Sequence, residues 1–169
     1  YAKSKLLAED YITSFNTDKK VYILRPSVII GDNNKGNIRL LEKLVYLKTP
    51  IFIPSVLAKK NLTDIRNINF VIKKFISNDN NIPSGIYNIC DNNVLDLKMI
   101  LIKIGKKINV QTLFLNLPSW ILSIFLYFVK IFNKSMSNKL NNLLLREILL
   151  DNTKLEFAIN QKLPYNSFE

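Results

Sequence analysis

The chain has 169 residues, 48% apolar, 11% aromatic and 22% charged, the profile of a globular chain with a packed core, which excludes wholesale disorder. It has no His and one Cys, Cys90, so a disulfide framework, a Cys/His zinc site and any His-based catalytic triad are excluded within it, and no metal is expected. The net charge of +11 invites a nucleic-acid reading, but 20 of the 24 cations are Lys and no basic run exceeds two residues (Lys19-Lys20, Lys59-Lys60, Lys73-Lys74, Lys106-Lys107). Dispersed doublets of this kind are solvated helix ends more often than a nucleic-acid surface, and nonspecific basic binding is kept as an alternative.

At about 150 residues per domain, the length fits one domain or a piece of a larger protein. The first residue is Tyr rather than Met, so a fragment or processed product is expected. A reduced thiol without a signal-peptide pattern suits the cytoplasm.

Residues 1–16 read as a helix, with Leu6, Leu7, Tyr11, Ile12 and Phe15 at three- and four-residue spacing. Val21 to Leu24 is a short apolar run suited to a buried parallel strand, ended by Arg25-Pro26. Residues 31–36 (GDNNKG) form a turn-rich loop, and Asn37 can cap a helix over 38–47. A strand is expected at 62–65 and a helix at 67–77. Residues 85–90 (GIYNIC) read as a second strand. Asp96 caps a helix to about Lys107, and 110–115 is a further strand. Pro118 suits a helix start, with a helix to Phe132 and two more over 138–149 and 153–159. Strands alternating with helices give an α/β class with parallel pairing.

Residues 110–129 carry no charge. Pro118 divides the stretch, and the helix after it reaches only roughly 22 Å against a hydrocarbon core of ~30 Å. A buried or partner-facing helix is the favoured reading and membrane association is not expected; a membrane-surface helix, which Trp120 and Tyr127 would suit, is the minority reading.

Tyr1 and Lys5 form Y-x-x-x-K on the first helix, which puts both side chains on one face a turn apart. A nearby ammonium favours the phenolate, so the pair can move a proton to or from an alcohol without His. Alone, the pair reads rather as a helix-surface contact, since Tyr and Lys are common. It heads a series of segments: YAKSKLLAE (1–9), LRPSVIIGD (24–32), KGNIRLLEKL (35–44), KKNLTDIRNI (59–68), GIYNICD (85–91), LPSWIL (117–122) and DNTKLEFAINQKLPYNSFE (151–169). In order and spacing these resemble motifs of the extended short-chain dehydrogenase/reductase superfamily, in its NAD-dependent nucleotide-sugar epimerase/dehydratase members and its UDP-glucose 4-epimerase-like branch.

The resemblance implies the C-terminal portion of such an enzyme: the end of a Rossmann-type parallel sheet over 1–31, then a small α/β substrate-binding lobe over 32–169 with some elements returning to the sheet. It implies a 4-epimerase passing a hydride through a 4-keto-sugar; a 4-ketoreductase, dehydrogenase or dehydratase of the same family is the alternative, as is an inactive truncated product. Tyr1 matches the catalytic acid/base and Lys5 the residue that holds the nicotinamide ribose. Pro26 and Val28 match positions near the NAD nicotinamide. Asn37 and Lys60 match positions near the sugar-nucleotide diphosphate, Lys60 where an Arg is frequent and with a solvated doublet as the alternative. Arg25 reads as a strand end, and Asp151 and Lys154 as a helix cap and first-turn charge. Nucleotide-sugar substrate and a homodimer of the complete enzyme are the implied partners.

The Gly-rich dinucleotide loop and the upstream Ser/Thr of this family are not in the sequence, and NAD versus NADP stays open. Ile30 and Asp32 replace a Tyr and a Pro, and Arg66 stands where an Asp is common. The chain alone is expected to bind NAD poorly and to be inactive.

Overall fold

The computed structural model describes residues 2–15, 18–32, 34, 36–54, 57–77, 81–134, 137–138 and 146–168. Its elements in chain order are α1 (Ala2–Ser14), β1 (Tyr22–Pro26), β2 (Val28–Ile30), α2 (Gly36–Tyr46), β3 (Ile51–Pro54), β4 (Lys59–Asp64), α3 (Ile65–Ser77), β5 (Gly85–Ile89), β6 (Val94–Asp96), α4 (Leu97–Lys107), β7 (Phe114–Leu117), α5 (Ser119–Phe132) and α6 (Thr153–Ile159). The α/β class holds. Three of the four strand pairings are parallel: β1 with β5, β2 with β4, and β3 with β7. The fourth, β4 with β6, is antiparallel.

Apolar periodicity sorts these elements around two cores. Val71 and Phe75 of α3, Tyr87 and Ile89 of β5, and Leu155 and Ile159 of α6 form one core beside β1. Ile38, Leu41 and Val45, at helical spacing on α2, meet Ile100, Leu101 and Ile104 of α4 in the other, over Ile30, Leu62 and Leu95 of the second sheet. Gly105 permits a close approach here: a Cβ would lie 2.6 Å from the Val110 carbonyl oxygen, which no real side chain tolerates.

The chain crosses from one sheet to the other at Ser27. Its amide donates to Ile89 O at 3.0 Å and to Thr63 Oγ1 at 3.2 Å. The two hydroxyls lie 2.8 Å apart, and Thr63 Oγ1 donates to Ile89 O at 2.7 Å. Two short strands can therefore follow each other through Pro26-Ser27-Val28 without leaving a buried amide unsatisfied.

Several expectations change. Of the helix anticipated over 138–149, residues 139–145 lie outside the described residues and 146–149 are not helical: Ile148 pairs with Lys60, with Asn61 N donating to Ile148 O at 3.0 Å and Ile148 N to Lys59 O at 3.1 Å. A free edge of β4 outcompetes local helix propensity there. The strand placed at 62–65 begins at Lys59, and that at 110–115 runs over Phe114–Leu117. Helix α2 begins at Gly36, whose φ of 62° is a left-handed entry, so Asn37 lies inside the first turn rather than capping it. Asp96 does cap α4, its carboxylate accepting from Met99 N at 2.7 Å. Asp151 accepts from the Thr153 amide at 2.9 Å and from its hydroxyl, while the cap position itself is Asn152.

Candidate functional site

Helix α1 carries Lys5 on an exposed face. Tyr1, the expected acid/base, lies outside the described residues. One turn beyond Lys5, Glu9 receives Arg25 of β1: Nε donates to Oε1 at 3.2 Å and to Oε2 at 3.0 Å, and Nη2 bonds Oε2 as well. This side-on guanidinium bond holds the Glu9 carboxyl below its ordinary range, with Coulomb attraction adding to it and burial opposing. Arg25 is thus more than a strand end, because it ties α1 to the strand that ends in Pro26.

Pro26 and Val28 are both half-buried, flanking the Ser27 crossing. Asn37 is exposed in the first turn of α2, where amides without intrahelical partners favour an anion. Asn34 closes the preceding loop, its Oδ1 accepting from Gly31 N at 2.8 Å and its Nδ2 donating to Glu42 Oε1 at 2.6 Å.

Lys60 is not a solvated doublet partner. It is 6% exposed within β4, while Lys59 points outward. Burial, with a smaller contribution from Arg146, pushes its pKa down. A partly dehydrated ammonium is a strong point-charge ligand for phosphate, though it lacks the fork of an Arg.

A cavity of about 870 Å³ opens at the C-terminal ends of β2 and β4. Parallel sheets place ligands at that end of their strands. Asp32, Asp64, Arg66, Lys103, Lys106 and Lys107 supply its charges. Arg66 grips Asp64 bidentately, Nε to Oδ1 at 2.9 Å and Nη2 to Oδ2 at 2.8 Å, and its guanidinium lies 4.6 Å from the Tyr165 ring centre. Burial pushes the Asp64 carboxyl up, but the Arg66 bonds outweigh it and the net shift is downward. Lys107 reaches Asp32 at 3.4 Å. None of Lys5, Pro26, Val28, Asn37 and Lys60 lines this cavity, so the structure does not gather the expected site residues around it. The sequence signal for it was Lys103, Lys106 and Lys107 at i, i+3 and i+4 on one helix face, which a doublet count alone does not reveal. No group of three Cys, Asp or Glu that could hold a metal occurs among the described residues. None of the described helices is long and apolar enough to cross a membrane.

Comparison with known proteins gives the following. The model of the male sterility protein family, an NAD-binding family, matches residues 1–78. A curated relative, the N-acetyl-alpha-D-glucosaminyl-diphospho-ditrans,octacis-undecaprenol 4-epimerase of Escherichia coli O157:H7, is 26% identical over 124 residues, 70% of this chain and 37% of that protein. Among solved structures, the Bordetella bronchiseptica enzyme WbmG in complex with NAD and UDP matches with a TM-score of 0.66 at 14% identity, over 99% of this chain and 45% of that one. UDP-N-acetylglucosamine 4-epimerase from Bacillus cereus matches with a TM-score of 0.59 at 12% identity, over 92% and 45%. At those identities the structures share the fold alone, and the chain spans less than half the length of these relatives.

Proposed function

We infer that the chain is part of an NAD-dependent epimerase/dehydratase-type enzyme, a reading supported by its sequence matches, and that it supplies the acid/base pair and the substrate-facing lobe of a nucleotide-sugar 4-epimerase. The observation that carries this is the sequence match to a 4-epimerase over 70% of the chain. The docking of the Lys5 helix onto β1 through Glu9 and Arg25 supports it.

NAD, when bound, supplies the hydride acceptor. This chain's contribution fits the nicotinamide end of such a site: Lys5 presents an exposed ammonium, and the Pro26–Val28 crossing brings backbone to the end of β1. The diphosphate end requires the Gly-rich loop, which lies outside this sequence. Lys5 holds the ribose hydroxyls and favours the Tyr1 phenolate. Tyr1 takes the C4 hydroxyl proton as the C4 hydride leaves, and returns it when the hydride adds to the opposite face of the keto-sugar. Asn37 and Lys60 hold the substrate diphosphate. Residues 1–31 belong with the dinucleotide-binding sheet and most of 32–169 with the substrate lobe. The exposed apolar residues of α1, including Leu7 and Tyr11, form the dimer contact of the complete enzyme.

The test is an assay of this chain joined to its dinucleotide-binding portion, with NAD and UDP-N-acetylglucosamine, following UDP-N-acetylgalactosamine. Interconversion in both directions supports the reading. Net one-way reduction with NADH points instead to a 4-ketoreductase, and absence of turnover on any UDP-hexose contradicts the reading.

A further inference from the structure

A surface helix is polar on its outer side, and α5 is not. Its inner side packs through buried Leu126 and half-buried Ile121 and Val129. Its outer side presents Trp120, Ile124, Tyr127, Phe128 and Ile131, spaced i, i+4, i+7, i+8 and i+11 on one face and all exposed, Trp120 by 66%. The surrounding sequence has a one-sided charge: residues 97–146 contain eight Lys or Arg and no Asp or Glu. Lys130 and Lys134 stand exposed at the end of the helix.

We propose that α5 docks in the plane of a membrane, with its outer face at the acyl boundary of an anionic phospholipid leaflet and Lys130 and Lys134 on the head groups. Fourteen residues give a helix of about 21 Å, too short to span a bilayer but sufficient to lie along one. Trp and Tyr with a polar tip on an apolar ring suit the interface. The exposed cations at the end of the helix, Lys130 and Lys134, with no carboxylate in α5 itself, complement a negatively charged surface. Length and Pro118 argue against spanning, the ground on which membrane association was not expected, and leave surface docking untouched. The inference is independent of the proposed reaction.

Trp120 is the single Trp of the chain, so its fluorescence reports on α5 alone. The probe is vesicles of phosphatidylcholine with and without phosphatidylglycerol. The expected result is a blue shift and brightening of Trp120, together with co-sedimentation, on the phosphatidylglycerol vesicles. Ile124→Ser/Phe128→Ser should weaken vesicle binding at least about tenfold with the far-UV circular dichroism unchanged. Lys130→Gln and Lys134→Gln should each weaken it about fivefold at low salt. No shift with anionic vesicles overturns the proposal. So does undiminished binding of the Ser variant, which would place the contact elsewhere. A blue shift that grows with protein concentration in the absence of lipid, with dimers in sedimentation, also overturns it by assigning the face to a second copy.

Discussion

Ser167 donates its backbone amide to Asp91 Oδ2 at 2.7 Å, and its hydroxyl bonds the same carboxylate oxygen. The other oxygen, Oδ1, accepts from Asp64 N at 3.0 Å and from Asn67 Nδ2 at 2.8 Å. Asp91 is 1% exposed. One carboxylate at the end of β5 thus fastens the end of β4, the start of α3 and the C-terminal tail. A buried carboxylate is sustainable here only because its lone pairs are satisfied by oriented donors. Asn67 completes the clasp, its Nδ2 donating to Tyr165 O at 2.7 Å and its Oδ1 accepting from Tyr165 N at 3.1 Å.

Asp91→Ala strands four donors in a dry site and is expected to lower unfolding free energy by about 3 kcal/mol or more. Ser167→Ala removes one bond and should cost about 1 kcal/mol. Urea unfolding of both variants checks the difference. Limited proteolysis should cut the tail of the Asp91 variant first, since Ser167 loses its anchor and only the Asn67 bonds to Tyr165 remain.

Lys60 separates stability from function. Its burial in β4 disfavours the charged form, and Lys60→Met, which keeps an unbranched apolar side chain in that place, should leave the chain folded. The same change should weaken binding of UDP-sugars by the complete enzyme, because the proposed diphosphate ligand is gone. Thermal melts and isothermal titration with UDP-N-acetylglucosamine check the two halves. A folded variant with unchanged UDP-sugar affinity would remove Lys60 from the site.

Burial, helped by the nearby Asp91, Asp151 and Glu156 carboxylates, pushes the Cys90 thiol from its ordinary 9.0 to about 11. Its Sγ sits 3.2 Å from Leu150 O. The folded chain therefore holds about a hundredfold less thiolate than the unfolded one at pH 8. Alkylation by iodoacetamide should then proceed only as fast as the chain opens. A pKa raised on folding leaves stability intact below the unfolded value and removes it as pH rises through the folded one. A loss of up to about 2–3 kcal/mol is thus expected between pH 9 and 11. Cys90→Ala should abolish that part of the pH slope.

The long periodic elements were legible in the sequence. Asp96 marked the start of α4 because a carboxylate three residues before an amide is the local chemistry of a cap, and the helical spacing of Ile38, Leu41 and Val45 marked the buried face of α2. Strands β2 and β6, three residues each, were not, since such lengths show no period and exist only through pairing with β4. The extended segment at Ile148 went the same way, a tertiary contact overriding an apolar helical pattern. For Asp91 the sequence offers only a motif position, and for Lys60 a diphosphate ligand and a solvated doublet stand side by side, because nothing in a single sequence distinguishes a buried ion from a solvated one. Of the candidate site, the order of the motifs could be read, whereas the bond from Arg25 to Glu9 joins residues sixteen apart and needed the fold.

In the proposed reaction a Tyr1 phenolate, favoured by the Lys5 ammonium, moves the sugar's C4 proton. The most direct measurement is kcat for UDP-N-acetylglucosamine 4-epimerisation by the NAD-loaded complete enzyme, wild type against Tyr1→Phe, with UDP affinity measured in parallel. The expected result is a loss of about 10²–10⁴ in kcat with UDP affinity unchanged. A Tyr1→Phe enzyme that turns over within a few-fold of wild type would contradict it.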